Sequence, residues 1–276
     1  MTNLEFSFAL FFVAYFAGLI GALTGLGGGV ILVPILVILF KIDLRYAMGA
    51  SLVSVIATSS GAALTFMQHH YTNLKIGMFL EIGAVLGALI GALLVKFIPT
   101  PIISIIFGIV LLLSILLSLK RHEAVTAKTS HPWAKYLSLE GHHLTQTGLQ
   151  KYPVFRVPLG FSLMTLAGAL SGLLGIGSGA LKVLSLDLAM GLPYKVATST
   201  SNFMIGMTAA ASAGIYLSSG YIYPEIIFPV VLGVLIGALM GSKILIQAKP
   251  KRLRILFSII IFFLALQMMY KGFLGI

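Results

Sequence analysis

Long apolar segments alternate with short polar segments along almost the whole of this 276-residue sequence. Several apolar segments reach or approach the roughly 20 helical residues needed to cross a hydrocarbon core. The two-residue alternation of a membrane β-barrel is missing, so helices are the predicted spanning elements. The apolar segments are Phe6–Leu23, Val30–Phe40, Ala47–Met67, Ile76–Phe97, Ile102–Leu119, Val157–Leu174, Ala180–Leu192, Val196–Leu217, Ile222–Ile246 and Ile255–Phe273.

A polar stretch, Lys120–Arg156, divides these segments into two sets, and the sets match at a constant offset of 150 residues. Matches of Tyr, Ser and Phe as well as Gly at one offset indicate internal duplication, a common plan for transporters. We therefore predict a first transmembrane repeat over residues 1–119, a polar central loop over 120–156 and a second repeat over 157–276. The matched pairs include Gly25 with Gly175, Gly27 with Gly177, Gly29 with Gly179, Ala47 with Ala197, Ser51 with Ser201, Tyr71 with Tyr221 and Phe107 with Phe257.

Each set contains one segment, Val30–Phe40 or Ala180–Leu192, too short to be an ordinary membrane span. If these segments turn back, the repeats are parallel, and Lys and Arg divide about evenly between the two sides. If they cross, the repeats are inverted, and the basic clusters Lys120–Arg156 and Lys243–Arg254 share one side, as the positive-inside rule favours. We predict an all-α polytopic membrane protein with inverted repeats, each with a glycine-broken helix or short half-helix. Both termini lie outside, and the central loop is cytoplasmic.

The composition supports a protein of the cell inner membrane, because 59% hydrophobic and 9% charged residues leave too little polar surface for a soluble globule. The net charge of +11 comes mostly from segments between apolar runs, so we interpret it as orienting charge rather than nucleic-acid-binding charge. No removable signal peptide is expected. No cofactor or metal site is predicted, because cysteine is absent and metal-binding spacing is missing around His69, His70, His122, His131, His142 and His143.

Two glycine clusters are the first candidates for a functional site. Glycine lets the backbone leave helical geometry, which within a membrane is tolerated only where protein or a water-filled cavity surrounds it. A helix that restarts there presents unpaired N–H groups and a positive dipole end to an anion. We expect the two breaks to form a pre-built pocket, although simple helix packing is the alternative. The clusters are Gly25, Gly27, Gly28 and Gly29, and Gly175, Gly177, Ser178 and Gly179.

Charged residues inside apolar segments are the second group of candidates. Lys182 lies three residues after the second cluster, where it either lines a cavity and pairs with Glu81 or Asp187, or extends toward the interface. Glu81 is a candidate proton carrier, with an interfacial position as the alternative.

The polar run from Thr198 to Asn202 is the third candidate, matched in the first half by Ser51. Thr200, Ser201 and Asn202 offer donors to sulfonate or carboxylate oxygens, or they bond neighbouring helices. Packing alone explains the glycines at four-residue spacing, Gly83, Gly87, Gly91, Gly233, Gly237 and Gly241.

These motifs together resemble the TauE/SafE sulfite exporter family, also called the toluenesulfonate uptake permeases, over both halves of the chain. They are Gly25 to Gly29 with Val33 and Pro34 close behind, the duplicated glycine segment, and Ala47 to Ser51 against Ala197 to Ser201. The resemblance implies an integral membrane protein that moves sulfite, sulfonates or related organic anions, with the glycines as signature positions. The chain departs from the usual pattern at Ser178, Lys182 and Leu184.

The predicted function is secondary transport of a small anion bound between the repeats, with proton coupling through Glu81 and Asp187 as candidates. An intramembrane enzyme acting on a lipid-linked substrate is the alternative. It is disfavoured because no apolar segment pairs a serine nucleophile with a histidine or shows metal-ligand spacing. The predicted partners are a small anionic solute and the lipid bilayer, and a homo-oligomer is left open.

Overall fold

The computed structural model describes residues 3–24, 28–68, 72–119, 130–145, 148–247 and 250–275. It is almost entirely helical, with one two-stranded hairpin in these ranges. The first half contains α1 Asn3–Thr24, α2 Gly29–Ile38, α3 Leu44–Gln68, α4 Leu74–Leu94 and α5 Thr100–Leu119. A central region contains α6 Pro132–Tyr136, β1 Gly141–Thr145 and β2 Gly148–Tyr152. The second half contains α7 Val157–Leu174, α8 Gly179–Leu184, α9 Tyr194–Ser218, α10 Pro224–Gln247 and α11 Pro250–Leu274. Directly after α8, Ser185–Ala189 forms a π-helical turn.

Four helical stretches within the described residues are long and apolar enough to cross a membrane: Leu4–Ala22, Leu74–Leu94, Val157–Leu174 and Pro224–Gly241. Three apolar helical stretches are shorter: Gly29–Ile38, Thr100–Leu116 and Ser258–Leu274. Large apolar side chains on the long helices, such as Phe12, Ile82 and Phe228, are more than half exposed. Surfaces of this kind are stable in lipid and costly in water, so the fold is that of a multi-pass membrane protein.

Faces rich in glycine hold two pairs of membrane helices together. On α4, a β-carbon at Gly87 would overlap the Thr165 carbonyl oxygen of α7, and one at Gly91 would overlap the Ala169 carbonyl oxygen. On α10, a β-carbon at Gly237 would likewise overlap the Tyr15 carbonyl oxygen of α1. The packing role predicted for these glycines is confirmed, because the backbones come too close for any side chain.

The contacts of α4 give the directions of the second-half helices. Gly83 lies against Phe161 and Gly91 against Ala169, so α4 and α7 run parallel. Asn73 contacts Thr200 and, eight residues on, Glu81 contacts Thr208, so α4 and α9 also run parallel. Therefore α7 and α9 point the same way, and the chain between them, through α8 and the π-helical turn, returns in the opposite direction.

The first half has the same pattern around α10. Gly237 meets Tyr15 and Gly241 meets Leu19, so α10 runs parallel to α1. Gly49 meets Tyr221 and Ile222, and Gly61 meets Leu239, so α10 also runs parallel to α3. As a result, α1 and α3 point the same way and the segment that contains α2 returns between them.

The later part of the central loop folds onto the membrane helices. The strands β1 and β2 form an antiparallel hairpin, with Gly141 opposite Tyr152. We call residues 130–156 the cap. Its buried residues Leu139, Tyr152 and Val154 join a core with Ile76 of α4. Residues 120–129, which include His122, lie outside the described residues, as do His69 and His70.

Asn73 ties the cap to two membrane helices. Its side-chain oxygen accepts from the Ile76 N–H at 3.1 Å and caps α4. Its side-chain nitrogen donates to the Leu139 carbonyl at 2.9 Å and the Tyr152 hydroxyl at 2.7 Å. Burial raises the pKa of Tyr152 above its ordinary value, although the hydrogen bond from Asn73 opposes the shift. The cap is therefore a packed element rather than a solvated loop.

Candidate transport site

The first glycine break restarts a helix partway along its neighbours. Gly28 lies against Ala17 and Gly18 of α1, several residues before that helix ends. The next residue, Gly29, faces Ser51 and Val55 in the second and third turns of α3. Helix α2 therefore begins well inside the bundle, as the glycine cluster predicted. Gly25 and Gly27 lie outside the described residues.

The second break has the special backbone geometry that glycine supplies. Helix α7 ends at Gly175 with φ 67°, and Gly177 has φ 75°, both in the left-handed region. Ser178 also adopts this region, with φ 46°, although it carries a side chain. A non-glycine residue there is strained by roughly 1 kcal/mol, and such strain clusters at functional sites.

The two breaks meet at the centre of the protein. A β-carbon at Gly29 would overlap the Ser51 hydroxyl and lie 3.2 Å from the Ile176 Cα. Val55 of α3 contacts both breaks, because a β-carbon at Gly29 or at Gly177 would lie 2.9 Å from one of its methyl carbons. Gly28, Gly29 and the segment from Gly175 to Gly179 are buried. In this conformation the breaks are packed against one another, so the pre-built pocket expected from the sequence is not seen here and the contacts display the packing alternative.

Two buried serine hydroxyls border this junction. Ser51 and Ser178 are at most 2% exposed, and neither hydroxyl has a hydrogen-bond partner within the described part of the chain. A buried hydroxyl without a partner costs about 1–3 kcal/mol. The two hydroxyls are therefore buried donors whose hydrogen bonds are unmade within the described part of the chain.

Lys182 of α8 is fully buried, at 0% exposure, and forms an ion pair with Glu81 of α4, which is 3% exposed. The Lys182 Nζ lies 3.7 Å from Glu81 Oε2. Thr208 of α9 bridges them: its hydroxyl accepts from the Lys182 ammonium and donates to Glu81 Oε1 at 2.5 Å. The ammonium also donates to the Met204 carbonyl at 3.3 Å. We call Glu81, Lys182 and Thr208 the charge cluster.

The charge cluster bears on the alternatives left by the sequence. Lys182 pairs with Glu81, so its ammonium does not extend to the surface, and the Glu81 carboxylate is buried within the protein. Asp187 lies in the π-helical turn after α8 and is 9% exposed. π-helical turns inside helices are frequent at functional sites.

The polar run at the start of α9 bonds neighbouring elements in this conformation. Ser201 donates to the Gly179 carbonyl at 3.2 Å, and the Thr200 hydroxyl accepts from the Asn73 N–H at 3.1 Å. The Asn202 carbonyl accepts from Ser59 at 2.6 Å. Of the two roles considered for this run, interhelical bonding is the one these contacts display.

Sequence reasoning missed Thr208, which connects the two charges. Hydroxyl residues are common in apolar helices, and nothing in the local sequence sets Thr208 apart. Its partner Glu81 is 127 positions away, so only the packing of α4 against α9 brings them together. The described residues contain no group of three His, Cys, Asp or Glu side chains that could hold a metal ion.

Comparison with known proteins gives matches over nearly the whole chain. Residues 10–268 match the model of a family described as Sulfite exporter TauE/SafE. "Probable membrane transporter protein YunE" of Bacillus subtilis (strain 168) is 27% identical over 265 residues, covering 93% of this chain and 94% of the relative. "Probable membrane transporter protein YdhB" of the same organism is 28% identical over 232 residues, covering 84% of this chain and 87% of the relative. No solved structure matches the chain significantly.

Proposed function

We propose that this chain, which belongs to the sulfite exporter TauE/SafE family, is a secondary transporter of sulfite, organosulfonates or related small oxyanions. The family is one of membrane transporters and not of enzymes. The observation that supports an anionic solute is Lys182, a fully buried cation one turn after a break in the membrane helices. A buried cation inside a membrane protein marks a solute or ion pathway more often than a structural contact.

The solute site in this proposal lies at the junction of the two glycine breaks. Lys182 supplies charge, and the hydroxyls of Ser51 and Ser178 supply donors. The backbone at Gly29 and Gly179 adds N–H groups at the starts of α2 and α8, where the helix dipole favours an anion. Movement of one half against the other would open the packed junction to each side in turn.

We further propose that residues 1–119 and 157–276 are inverted repeats separated by the central region 120–156. Equivalent contacts support this: Gly87 meets Thr165, and 150 positions away Gly237 meets Tyr15. The parallel directions of α7 and α9 also support it, since the chain must then cross once between them. Because five is an odd number of crossings, the second half would begin on the opposite side of the membrane from the first and would be inverted relative to it.

The proposed orientation, with both termini outside, has a direct test. A protease-cleavable tag after Ile276 is expected to be removed by protease added to intact spheroplasts, and a tag in the cap is expected to be protected. Cleavage of the Ile276 tag only after the membrane is broken would contradict the orientation.

Flux in proteoliposomes tests the function. Purified protein is expected to move radiolabelled sulfite or a sulfonate across the membrane, and Lys182→Ala is expected to reduce that flux at least about tenfold, since the lost charge interaction exceeds about 1.4 kcal/mol. Lys75→Ala, which removes an exposed lysine at the start of α4, is the matched control and should retain flux. If the unaltered protein moves none of these anions, the proposed function is wrong.

A further inference from the structure

In this conformation, the three side chains of the charge cluster contact one another. Three oxygen atoms lie around the Lys182 ammonium: a Glu81 carboxylate oxygen, the Thr208 hydroxyl and the Met204 carbonyl. The ammonium donates hydrogen bonds to Thr208 and Met204, whereas Glu81 Oε2, at 3.7 Å, lies beyond hydrogen-bond distance and pairs with it through charge. A transported anion therefore reaches Lys182 only by displacing the Glu81 carboxylate.

We infer that the Glu81 carboxylate is a tethered competitor that occupies Lys182 until it is protonated, so that one proton and one singly charged anion bind together. This inference rests on the proposed function and specifies how its site works. One proton adds to a carboxylate oxygen of Glu81, the ion pair separates, and an oxyanion takes the place of the carboxylate beside Lys182. Release of the anion and the proton restores the ion pair.

The charge balance of the buried site supports this exchange. Before binding, the ammonium of Lys182 and the carboxylate of Glu81 cancel. After binding, the ammonium and a singly charged anion cancel, and Glu81 is neutral. As long as Lys182 keeps its charge, binding the anion without the proton, or the proton without the anion, leaves a net charge inside the protein, which is costly at membrane depth.

Thr208 fits both states because a hydroxyl can donate and accept. In the ion-paired state it accepts from Lys182 and donates to Glu81. After protonation of Glu81, the same O–H can donate to the incoming oxyanion while its oxygen still accepts from Lys182. Thr208 is therefore a positioning residue that keeps the ammonium aimed at whichever oxygen replaces the carboxylate.

The substrate class follows from this balance. A single ammonium neutralises a sulfonate or hydrogen sulfite, whereas doubly charged sulfate would leave one uncompensated charge. The helices α5 and α7 offer no second cation, since they contain no Lys, Arg or His. The other titratable side chains on the described membrane elements around the cluster are Arg45 and Tyr46 of α3, Lys75 of α4, Asp187 of the π-helical turn, and Tyr194, Lys195 and Tyr216 of α9.

Methanesulfonate is the probe of choice because its charge stays fixed near neutral pH, whereas sulfite changes its own protonation there. In proteoliposomes of the full chain, the apparent affinity of the unaltered protein is expected to fall about tenfold per pH unit above the titration of Glu81. Glu81→Gln should abolish this slope and hold the high-affinity value from weakly acidic to neutral pH, where Lys182 stays charged. Glu225→Gln, an exposed control at the start of α10, should keep the slope.

A binding measurement in detergent covers variants with impaired flux. At neutral pH, methanesulfonate should raise the melting temperature of Glu81→Gln more than that of the unaltered protein, because Lys182 lacks its carboxylate partner in the variant. Thr208→Ser should retain the pH slope, and Thr208→Val should weaken methanesulfonate binding at least about tenfold. Sulfate at the same concentration should compete at least about tenfold less well than methanesulfonate.

Three outcomes would overturn the inference while leaving anion transport intact: an unchanged pH slope in Glu81→Gln, no added thermal shift in that variant, or sulfate competing as well as methanesulfonate. Failure of the unaltered protein to move any tested anion would instead overturn the proposed function. The two failures are distinguishable because the first set requires measurable flux or binding by the unaltered protein.

Discussion

The Lys182–Glu81 pair allows a quantitative test of the fold itself through a double-mutant cycle. Both side chains are buried, at 0% and 3% exposure, so solvent screens their interaction little. Replacing Lys182 by Met leaves the Glu81 carboxylate in an apolar interior with only the Thr208 hydroxyl as its described partner. Breaking a buried pair in this way is expected to cost about 3–5 kcal/mol.

Removing both charges gives the opposite expectation. In Glu81→Leu combined with Lys182→Met, the cluster becomes apolar and neither charge is buried alone. Such replacements are neutral or stabilising by about 1–4 kcal/mol in proteins where they have been made. The double variant should therefore be several kcal/mol more stable than Lys182→Met, although it should not transport.

The assay follows from the composition of the chain. The protein has no cysteine for thiol-reactive dyes, and its single tryptophan, Trp133, lies in the cap rather than in the bundle. Far-ultraviolet circular dichroism during titration of micelles with a denaturing detergent measures loss of the helices directly. A cost of Lys182→Met below about 1 kcal/mol, or strict additivity in the double variant, would show that the two side chains do not form a buried pair.

Three further comparisons test the helix packing and the cap. Gly87→Ala should lower stability by roughly 1–3 kcal/mol through overlap with a carbonyl of α7, whereas Gly214→Ala, with open space around it, should raise stability by up to about 1 kcal/mol in the same detergent titration. Gly177→Ala should be more harmful than Gly28→Ala, because the first has φ 75° and a β-carbon there would lie 2.7 Å from Ile205, whereas the nearest atom at the second is 3.4 Å away; equal melting temperatures would contradict this. Tyr152→Phe should cost about 1 kcal/mol at neutral pH. That difference should shrink above about pH 10, because the raised pKa of Tyr152 makes the folded state hold its proton while the unfolded state releases it.

The sequence predicted helix faces better than it predicted helix neighbours. Glycines every four residues lie on one side of a helix, and this spacing correctly identified the contact faces of α4 and α10. It did not identify α7 and α1 as the partners, because a glycine face can pack closely against the backbone of any helix. The partner is determined by how ten apolar segments arrange themselves together, which is a property of the whole chain.

The sequence was similarly informative about charge and silent about geometry. Lys182 and Glu81 were recognisable because a charge within an apolar run is costly and needs a reason. Their pairing remained one of two alternatives, since Asp187 is closer along the chain. The polar run from Thr198 to Asn202 was considered for solute binding, but hydroxyls at helix interfaces bond backbone carbonyls readily. Sequence alone does not distinguish these uses.

The 150-residue offset shows that the charge cluster has no counterpart in the first half. The positions that correspond to Lys182, Glu81 and Thr208 are Leu32, Val231 and Thr58. Leu32 is fully buried, and Thr58 donates to the Val55 carbonyl of its own helix at 3.0 Å.

The asymmetry has a consequence for an alternating-access transporter. If the two halves were functionally equivalent, an anion would meet the same groups from either side of the central glycine junction. In the proposed transport cycle it meets charged groups on one side and apolar ones on the other. Exchange of the Glu81 carboxylate for an anion would then occur on one side only, and the apolar side would oppose passage of an ion without its counter-charge. Under this proposal, the asymmetry would couple the anion to a proton by requiring the charge cluster to be neutral before the junction opens toward the apolar side.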